Sequence, residues 1–330
     1  MKCKGDPSLL DSRDRTLCSR CEGEPPVTHR RYSGESLCRS CFVESFVKRV
    51  YKTIYRYKMF KEDDTIMVAV SGGKDSLSLL KVLSEVERRF DRVRLISVTI
   101  DEGIRGYRDE SLEVAGNFSR SLGIEHHVLS LKELYGHSVD EVIDGGLHRT
   151  LNLKACSVCG VLRRQALDKA AKLLGATVIA TAHTLDDIVQ TYIMNLLRGD
   201  RPTTPLSERR GGEGVVPRVS PFKLTPQDEV VLYAYLNKIP FQEVPCPHSS
   251  SSQREPIKEF LSRFEATYPG TLYTALRTIE EMIAISGREN RDMRTCERCG
   301  HPTSRRLCRA CEISCVLNES IDRTRLLTSE

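Results

Sequence analysis

Long apolar runs are absent from this 330-residue sequence, which excludes a membrane-spanning helix of about 18 or more apolar residues. The opening MKCKGDPSLL also lacks the apolar segment of a secretory signal. We therefore expect a cytoplasmic protein that does not engage a membrane. In a reducing compartment, the 13 cysteines predict metal binding or thiol chemistry rather than disulfide bonds.

A strong excess of one charge sign is also absent, since the net charge is only +5. The charges are unevenly distributed, however. Residues 1–60 hold 13 basic and 7 acidic side chains, and residues 286–330 hold nine Arg, no Lys and seven acids. Basic ends around a mildly acidic middle predict contact with a polyanion. An ordinary solvated surface is the alternative interpretation.

Two pairs of Cys-x-x-Cys motifs, one near each end of the chain, predict two zinc sites. The spacings are C-x2-C-x16-C-x2-C and C-x2-C-x8-C-x2-C, and both suit a tetrahedral four-cysteine site. Unrelated free thiols are the alternative. The predicted ligands are Cys18, Cys21, Cys38 and Cys41 in the first site and Cys296, Cys299, Cys308 and Cys311 in the second.

From residue 64 onward, short apolar segments alternate with segments of helical periodicity. This alternation predicts an α/β fold with a doubly wound parallel sheet, whose ligands bind at the carboxyl ends of the strands. The predicted strands are 65–70, 94–100, 125–131 and 177–183. The predicted helices are 75–90, 107–122, 162–175, 185–199 and 225–240, with further helix in 254–285.

The predicted domains are a zinc module with a basic linker helix (1–58), a catalytic domain (59–285), and a second zinc module with a tail (286–330). The linker helix, 42–60, is amphipathic. Lys48, Arg49, Lys52 and Arg56 lie on one side, with Tyr51, Tyr55 and Tyr57 interleaved. These side chains suit RNA binding, although a plain linker helix has the same pattern. Residues 200–220, rich in Pro, Gly and charge, predict a surface loop.

A glycine-rich turn follows the first predicted strand and precedes a helix. Its sequence, SGGKDS, predicts a phosphate-binding loop because glycine permits the necessary backbone and the helix N-terminus attracts anions. It is not a Walker A motif, since Asp follows the Lys. The candidate nucleotide contacts here are Ser71, Gly72, Gly73, Lys74, Asp75 and Ser76.

A second motif, AHTLDD at 182–187, ends a later strand of the same predicted sheet. We expect Asp187 to hold Mg²⁺ together with Asp75 and the phosphates of a nucleotide. Helix capping by the two aspartates is the alternative. His183 is a further candidate contact, and backbone near Thr99 and Asp101 is expected to support an adenine ring.

The two motifs resemble those of the PP-loop, or N-type ATP pyrophosphatase, superfamily. The resemblance implies cleavage of ATP between its α and β phosphates. It also implies that a carbonyl oxygen is activated as an adenylate, from which a nucleophile displaces AMP.

Three further cysteines suggest the nucleophile. Cys156 and Cys159 form a Cys-x-x-Cys pair without a second pair nearby, just before a predicted helix, and Cys246 lies in VPCPHS. Three thiolates on a [4Fe–4S] cluster leave the fourth iron open to a ligand such as sulfide. Zinc with His248 as a fourth ligand, or a buried structural pair, are the alternatives.

With these cysteines, nearly the whole chain resembles the tRNA 2-thiolation enzymes. CSVCGVLRRQALDKAA and IVQTYIMNLLRGD are most similar to the branch that modifies the wobble uridine of Lys, Glu and Gln tRNAs. The sister branch modifies the T-loop uridine and usually has Lys where Arg163 stands here. The resemblance implies that Arg163 stabilises phosphate charge. It also implies ATP, Mg²⁺, two Zn²⁺ and a [4Fe–4S] cluster as cofactors.

The implied partners are tRNA, a second copy of the chain in a homodimer, and a sulfur donor. The donor is either inorganic sulfide or the thiocarboxylate of a ubiquitin-like sulfur-carrier protein. In an alternative chemistry, Cys156 or Cys246 carries a persulfide instead of a cluster. Other interpretations are T-loop thiolation, a lysidine synthetase with an amine nucleophile, and a non-catalytic zinc-finger protein that binds tRNA.

Overall fold

The computed structural model describes residues 16–87, 92–150, 152–199, 216–248, 254–285 and 294–317. Its first elements are an antiparallel hairpin, β1 (Thr28–Arg30) and β2 (Glu35–Leu37), and helix α1 (Arg39–Arg56). The hairpin lies between the two Cys-x-x-Cys pairs of the N-terminal module. The apolar residues of α1 that recur every four positions, such as Phe42 and Phe46, are buried, as their spacing predicts.

A five-stranded parallel sheet forms the centre of the molecule, in the order β5-β4-β3-β6-β7. Its strands are β3 (Thr65–Ala69), β4 (Arg94–Asp101), β5 (Glu125–Ser130), β6 (Val178–Ala180) and β7 (Arg218–Val219). The helices between them are α2 (Lys74–Glu87), α3 (Arg108–Ser121), α4 (Leu131–Tyr135), α5 (Val139–Asp144), α6 (Leu147–Thr150), α7 (Ala155–Leu173) and α8 (Leu185–Leu197). The doubly wound parallel α/β fold predicted from the sequence is therefore confirmed.

The two faces of the sheet bury separate apolar cores. Ile66 and Val68 of β3 pack with helices α1 to α3, whereas Met67 between them packs on the opposite face with α4, α5 and α7. Successive side chains of a strand point to opposite faces, so an uninterrupted apolar strand serves both cores. Because the five strands are parallel, their carboxyl ends lie at the same edge of the sheet, whose two faces are covered by helices.

After the sheet come α9 (Gln227–Leu236), α10 (Arg254–Thr267) and α11 (Thr271–Ile285). The last two helices pack on α8 through a third apolar cluster. The C-terminal module contains the antiparallel pair β8 (Arg294–Thr295) and β9 (Pro302–Thr303), and helix α12 covers residues 309–317. Among the helices described, none combines the length and apolar character needed to cross a membrane.

Most predicted elements agree with the structure to within a few residues, but the start of α7 was predicted wrongly. The helix begins at Ala155, seven residues before its predicted start. Its N-cap, Lys154, has an extended backbone and makes no side-chain cap, so the sequence has no capping residue to mark the start. The predicted loop at 200–220 falls mostly outside the described residues, as does Cys3.

A buried charge network joins the N-terminal module to α9. Glu229 of α9 lies 2.7 Å from Nη2 of Arg30 and 2.9 Å from Nη1 of Arg49. It also accepts a hydrogen bond from the Tyr32 hydroxyl. Only 4% of Glu229 is exposed. Because a buried arginine without a counter-charge is costly, this carboxylate holds the hairpin and α1 against the catalytic domain.

Glu229→Gln should therefore lower the free energy of unfolding by about 3 kcal/mol, since Arg49 loses its counter-charge and Arg30 keeps only Glu35, at 3.3 Å. Urea denaturation of the metal-loaded protein measures the change. Glu44→Gln is the matched control, because Glu44 forms an exposed pair with Lys48 on the surface of α1. Its effect should stay below about 1 kcal/mol. Equal stability of the two variants would contradict the structural role of Glu229.

Candidate active site

The loop between β3 and α2 is shaped to bind an anion. Gly72 has a φ of +81°, and a Cβ there would stand 2.5 Å from the backbone oxygen of Ser111. The Ser76 hydroxyl accepts a hydrogen bond from the backbone N–H of Ser71 (3.0 Å) and donates one to the carbonyl of Gly73 (2.9 Å). Helix α2 begins at Lys74, so its free N–H groups lie at the end of this loop.

A buried arginine ties the ends of the two central strands together. Arg108 donates hydrogen bonds to the carbonyls of Ser71 (3.1 Å) and Ile100, and its Nε lies 2.7 Å from Oε2 of Glu102. The other oxygen of Glu102 lies 3.4 Å from Nη1 of Arg163 on α7. Sequence reasoning missed Arg108 and Glu102, because no local pattern distinguishes them from surface charges.

Asp75 has the surroundings of a cation ligand. Its Oδ1 is buried and has no hydrogen-bond partner within the described residues, while Oδ2 lies 3.2 Å from Nζ of Lys74. Burial raises the pKa of Asp75; Lys74 opposes this shift and Asp187 adds to it. The two carboxylates that the sequence predicted to act together are therefore close enough to interact electrostatically.

The paired aspartates of AHTLDD have different partners. Asp187 forms a capping box, with Oδ2 accepting from the backbone N–H (2.9 Å) and hydroxyl (3.0 Å) of Thr184. Asp186 accepts instead from the backbone N–H of Gln227 (2.8 Å), and burial raises its pKa to about 6. The capping interpretation thus holds for Asp187, and a role at the phosphates is compatible with it because a carboxylate has several acceptor positions.

The remaining predicted nucleotide contacts differ in accessibility. Thr99 is completely buried, whereas Asp101 is partly exposed, and its Oδ1 accepts from the N–H of Gly103 (2.8 Å). His183 shares a 2.9 Å hydrogen bond with Thr181 through Nδ1. Partial removal from water lowers the pKa of His183, although the charge of Asp187 opposes this shift.

Cys156 and Cys159 lie within the first turns of α7, not just before the helix as the sequence suggested. Cys246 lies in the segment after α9. This segment reaches both parts of the site, since Gln242 N–H donates to the Gly72 carbonyl (3.1 Å) and the Cys156 thiol donates to the His248 carbonyl (3.1 Å). The cysteine pair is thereby connected to the glycine loop.

A hydrogen bond between His248 and Asp140 holds the segment that contains Cys246. His248 Nε2 lies 2.9 Å from Oδ1 of Asp140 on α5, and Asp140 Oδ2 accepts from the backbone N–H of Arg105 (2.9 Å). Burial raises the pKa of Asp140, but the hydrogen bonds from Arg105 and His248 outweigh it and lower the pKa below its usual range. Sequence reasoning missed Asp140 and Arg105, which are remote from Cys246 in the chain.

The three central cysteines interact electrostatically with one another and with Arg163. Burial raises the pKa of Cys159 to about 12 and also raises that of Cys246, with Arg163 opposing both shifts. Within the described residues, only the cysteines of the two terminal modules bring their sulfurs close enough together to bind one metal ion, and these three cysteines do not. Ligands of an iron–sulfur cluster bind different irons, so they need no such close grouping.

The eight cysteines of the terminal modules do form two compact groups. In each group of four, the sulfurs lie within 4.8 Å of one another. Burial opposes ionisation of Cys18, but backbone N–H groups hydrogen-bond its sulfur and lower its pKa to about 6. Cys296 in the second module is the equivalent case, also with a pKa of about 6. Four such sulfurs are a suitable donor set for a tetrahedral cation.

The predicted RNA-binding face of α1 is smaller than expected. Arg49 is engaged by Glu229 and Lys48 by Glu44, so neither is a free positive charge. Lys52 and Arg56 remain exposed, and Tyr55 is 88% exposed. Tyr51 and Tyr57, in contrast, pack partly against the core. The prediction of a basic, aromatic face therefore holds only for the C-terminal half of the helix.

A cluster of arginines beside α7 was not predicted. Arg218 donates to Oδ1 of Asp168 (2.8 Å) and to the backbone carbonyl of Arg164. Partial removal from water and the charges of Arg218, Arg163 and Arg254 lower the pKa of Arg164. These arginines come from α7, β7 and α10, so their clustering arises only in the fold. Positive charge concentrated in this way attracts anions.

Comparison with known proteins agrees with this geometry. The PP-loop domain family matches residues 43–263, and the N-terminal LIM domain of 2-thiouridine synthetase TtuA matches residues 17–43. The fold, the glycine loop and these matches define a PP-loop domain protein with an added cysteine-rich N-terminal module.

Longer matches identify the family. Cytoplasmic tRNA 2-thiolation protein 1 of Chlamydomonas reinhardtii is 38% identical over 93% of this chain and 86% of that protein. tRNA 2-thiolation protein NcsA of Haloferax volcanii is 35% identical over 90% of this chain and 97% of that protein. The solved U34-tRNA thiolase NcsA of Methanococcus maripaludis, with its [4Fe–4S] cluster, superposes with a TM-score of 0.79 at 28% identity, covering 90% of this chain and 95% of that one. The chain belongs to the tRNA 2-thiolation protein family.

Gly72→Ala should weaken ATP binding at least about 10-fold, because the added Cβ collides with Ser111 and the backbone is left-handed. Isothermal titration calorimetry measures the affinity. Gly116→Ala in the middle of α3 is the control, since its nearest neighbour to an added Cβ is 3.7 Å away. That variant should bind ATP normally. Normal ATP binding by Gly72→Ala would show that the loop does not hold the nucleotide.

Proposed function

We propose that this chain is a tRNA sulfurtransferase that replaces the C2 oxygen of a uridine with sulfur at the expense of ATP. The observation that carries the proposal is the convergence of the glycine loop with three cysteines, through the contacts of Gln242 and His248. The names of both relatives support the reaction type. The designation of the Chlamydomonas reinhardtii protein as cytoplasmic supports the same location for this chain.

The reaction takes two displacements. The uridine O2 first attacks the α-phosphorus of ATP, and pyrophosphate leaves. A sulfur nucleophile then attacks C2, the C2–O bond breaks, and AMP leaves with that oxygen. We assign the loop of Ser71 to Ser76 to the phosphates. We assign Arg163, which is half-exposed and adjoins Glu102, to the charge on the α-phosphate.

A magnesium ion fits beside Asp75. The unpartnered buried Oδ1 of Asp75 and the nearby carboxylate of Asp187 provide the oxygen donors that this ion prefers, with the phosphates supplying the rest. Zinc fits both terminal modules, since each offers four sulfurs around one point. We therefore assign one magnesium ion to the nucleotide site and one zinc ion to each module.

A [4Fe–4S] cluster is our assignment for Cys156, Cys159 and Cys246, because three thiolate ligands leave one iron open to a sulfur ligand. The [4Fe–4S] cluster of the solved Methanococcus maripaludis NcsA supports this assignment. A persulfide on Cys156 or Cys246 is the second candidate, supported by the exposure of Cys156. We also propose a homodimer, and a sulfur donor that is either sulfide or a ubiquitin-like thiocarboxylate.

The tRNA is proposed to contact the arginine cluster beside α7 and the exposed end of α1. Arg164 and Arg254 lie beside the predicted reaction centre, where phosphates flanking the target uridine need counter-charges. Lys52, Arg56 and Tyr55 offer a second contact further away. The wobble uridine suits such an open arrangement, because it lies in a single-stranded loop whose bases can be splayed out.

Protein purified without oxygen should contain about four irons per chain and absorb visible light broadly, as the proposed cluster requires. Cys156→Ala and Cys246→Ala should each lose most of the iron and the thiolation activity. Cys315→Ala is the control, since Cys315 belongs to neither four-cysteine group and accepts a hydrogen bond from Arg298 (3.0 Å). Iron-free wild-type protein that thiolates tRNA at full rate would favour the persulfide.

Deletion of the gene in its host should remove 2-thiouridine from the wobble position of tRNA-Lys and leave the T-loop unchanged. Nuclease digestion and mass spectrometry of the isolated tRNA locate the modification. Wild-type protein should restore it, whereas Asp75→Asn should not, because the proposed magnesium ligand is lost. Loss at the T-loop would identify the sister reaction, and full restoration by Asp75→Asn would favour a non-catalytic tRNA-binding protein.

A further inference from the structure

Helix α7 has functional side chains on two opposite sides. Arg163 follows Cys156 by seven residues, roughly two helical turns, so both project from the same side. Gln165 follows Cys156 by nine residues, roughly two and a half turns, and therefore projects from the opposite side. The first side contributes to the candidate active site, and the second faces the C-terminal module.

Gln165 contacts the sulfurs of that module directly. Its Nε2 donates to Sγ of Cys299 (3.4 Å) and Sγ of Cys308 (3.3 Å). The Tyr135 hydroxyl donates to Oε1 of the same amide (2.9 Å). This hydrogen bond orients the amide so that its –NH₂ group faces the two sulfurs. Only 7% of Gln165 is exposed. Lys169, one turn further along α7, lies over the Tyr135 ring at 4.3 Å.

The C-terminal module also shares the apolar core of α7. Cys296, Cys308 and Cys311 are buried in the same cluster as Val158, Leu162 and Ala166. Cys159 and Cys246 are partly buried and pack against the same cluster. The module is therefore part of the packing behind the catalytic cysteines, and not an appendage joined to the domain by a linker.

We propose that Gln165 is a positioning residue through which the C-terminal metal module clamps α7 and fixes the direction of Cys156, Cys159 and Arg163. The clamp itself depends only on this chain's contacts; its consequence for the cluster depends on the proposed function. The terminal modules would thus differ in role, the second supporting the reaction centre instead of binding tRNA.

Electrostatics explains why an amide stands at this position. Four thiolates around a divalent cation retain a net negative charge, and most of the second module's sulfurs are buried. N–H donors stabilise such sulfurs, and loss of an outer-shell donor typically weakens metal binding about 10- to 100-fold. A carboxylate at the same position would instead repel them. The metal site and the orientation of α7 are therefore coupled through one side chain.

The test compares Gln165→Glu with Tyr135→Phe and with Asn117→Asp. The first replaces the donor by a carboxylate of the same shape. The second removes the hydroxyl that orients the amide and should act in the same direction, but more weakly. Asn117→Asp makes an equivalent amide-to-carboxylate change on the exposed surface of α3 and should have no effect.

Three measurements are made on full-length protein prepared without oxygen. Zinc release to a chelator should show one of the two ions leaving at least about 10-fold faster in Gln165→Glu, while the other leaves at the wild-type rate. Hydrogen exchange should accelerate in residues 155–163. The visible absorption of the iron–sulfur cluster should fall or change shape. The unchanged release of the N-terminal ion shows that the chain remains folded.

Wild-type rates of zinc release and exchange in Gln165→Glu would overturn the proposal. So would fast zinc release with unchanged exchange in 155–163 and an unchanged cluster, because the module would then not position α7. Wild-type protein without iron would count against the proposed cluster instead. In that case zinc release and hydrogen exchange still decide the role of Gln165.

Discussion

The site depends on one buried ion pair, Arg108 with Glu102. Arg108 satisfies carbonyls that follow β3 and β4, and its own charge is balanced by Glu102 at 2.7 Å. Both side chains are almost completely buried, so removing Glu102 would leave the charge of Arg108 uncompensated in the interior. Glu102 also reaches Arg163. The pair thereby links the glycine loop to α7, which carries Cys156 and Cys159.

Helix α7 is the element on which the different parts of the molecule converge. Its first turns carry Cys156 and Cys159, its active-site side carries Arg163, and its opposite side holds the C-terminal module through Gln165. The segment around Cys246 is held independently, by Asp140 through His248 and by the glycine loop through Gln242. These contacts connect the glycine loop and the three central cysteines within the same part of the fold.

The two four-cysteine modules have the same internal chemistry but different attachments. In each, backbone N–H groups lower the pKa of one buried cysteine, as expected for a preformed cation site. The first module is attached to α9 by the charges around Glu229. It is distant in the chain from the three central cysteines, and it packs on the other face of the sheet. The second packs directly behind α7. Similar spacing therefore does not imply a similar role.

The sequence by itself determined the parallel α/β fold, the glycine loop and the two cysteine groups, because each depends on residues close together in the chain. Strand β4, for example, was predicted to within one residue from its local run of apolar and β-branched residues. Only the tertiary structure decided that α7 begins at Ala155, where no capping side chain marks the start. It alone paired Cys156 with His248 and Gln165 with Cys308, which are 92 and 143 residues apart. Such contacts leave no periodic pattern in the sequence, because they form only when the packed sheet brings its covering elements together.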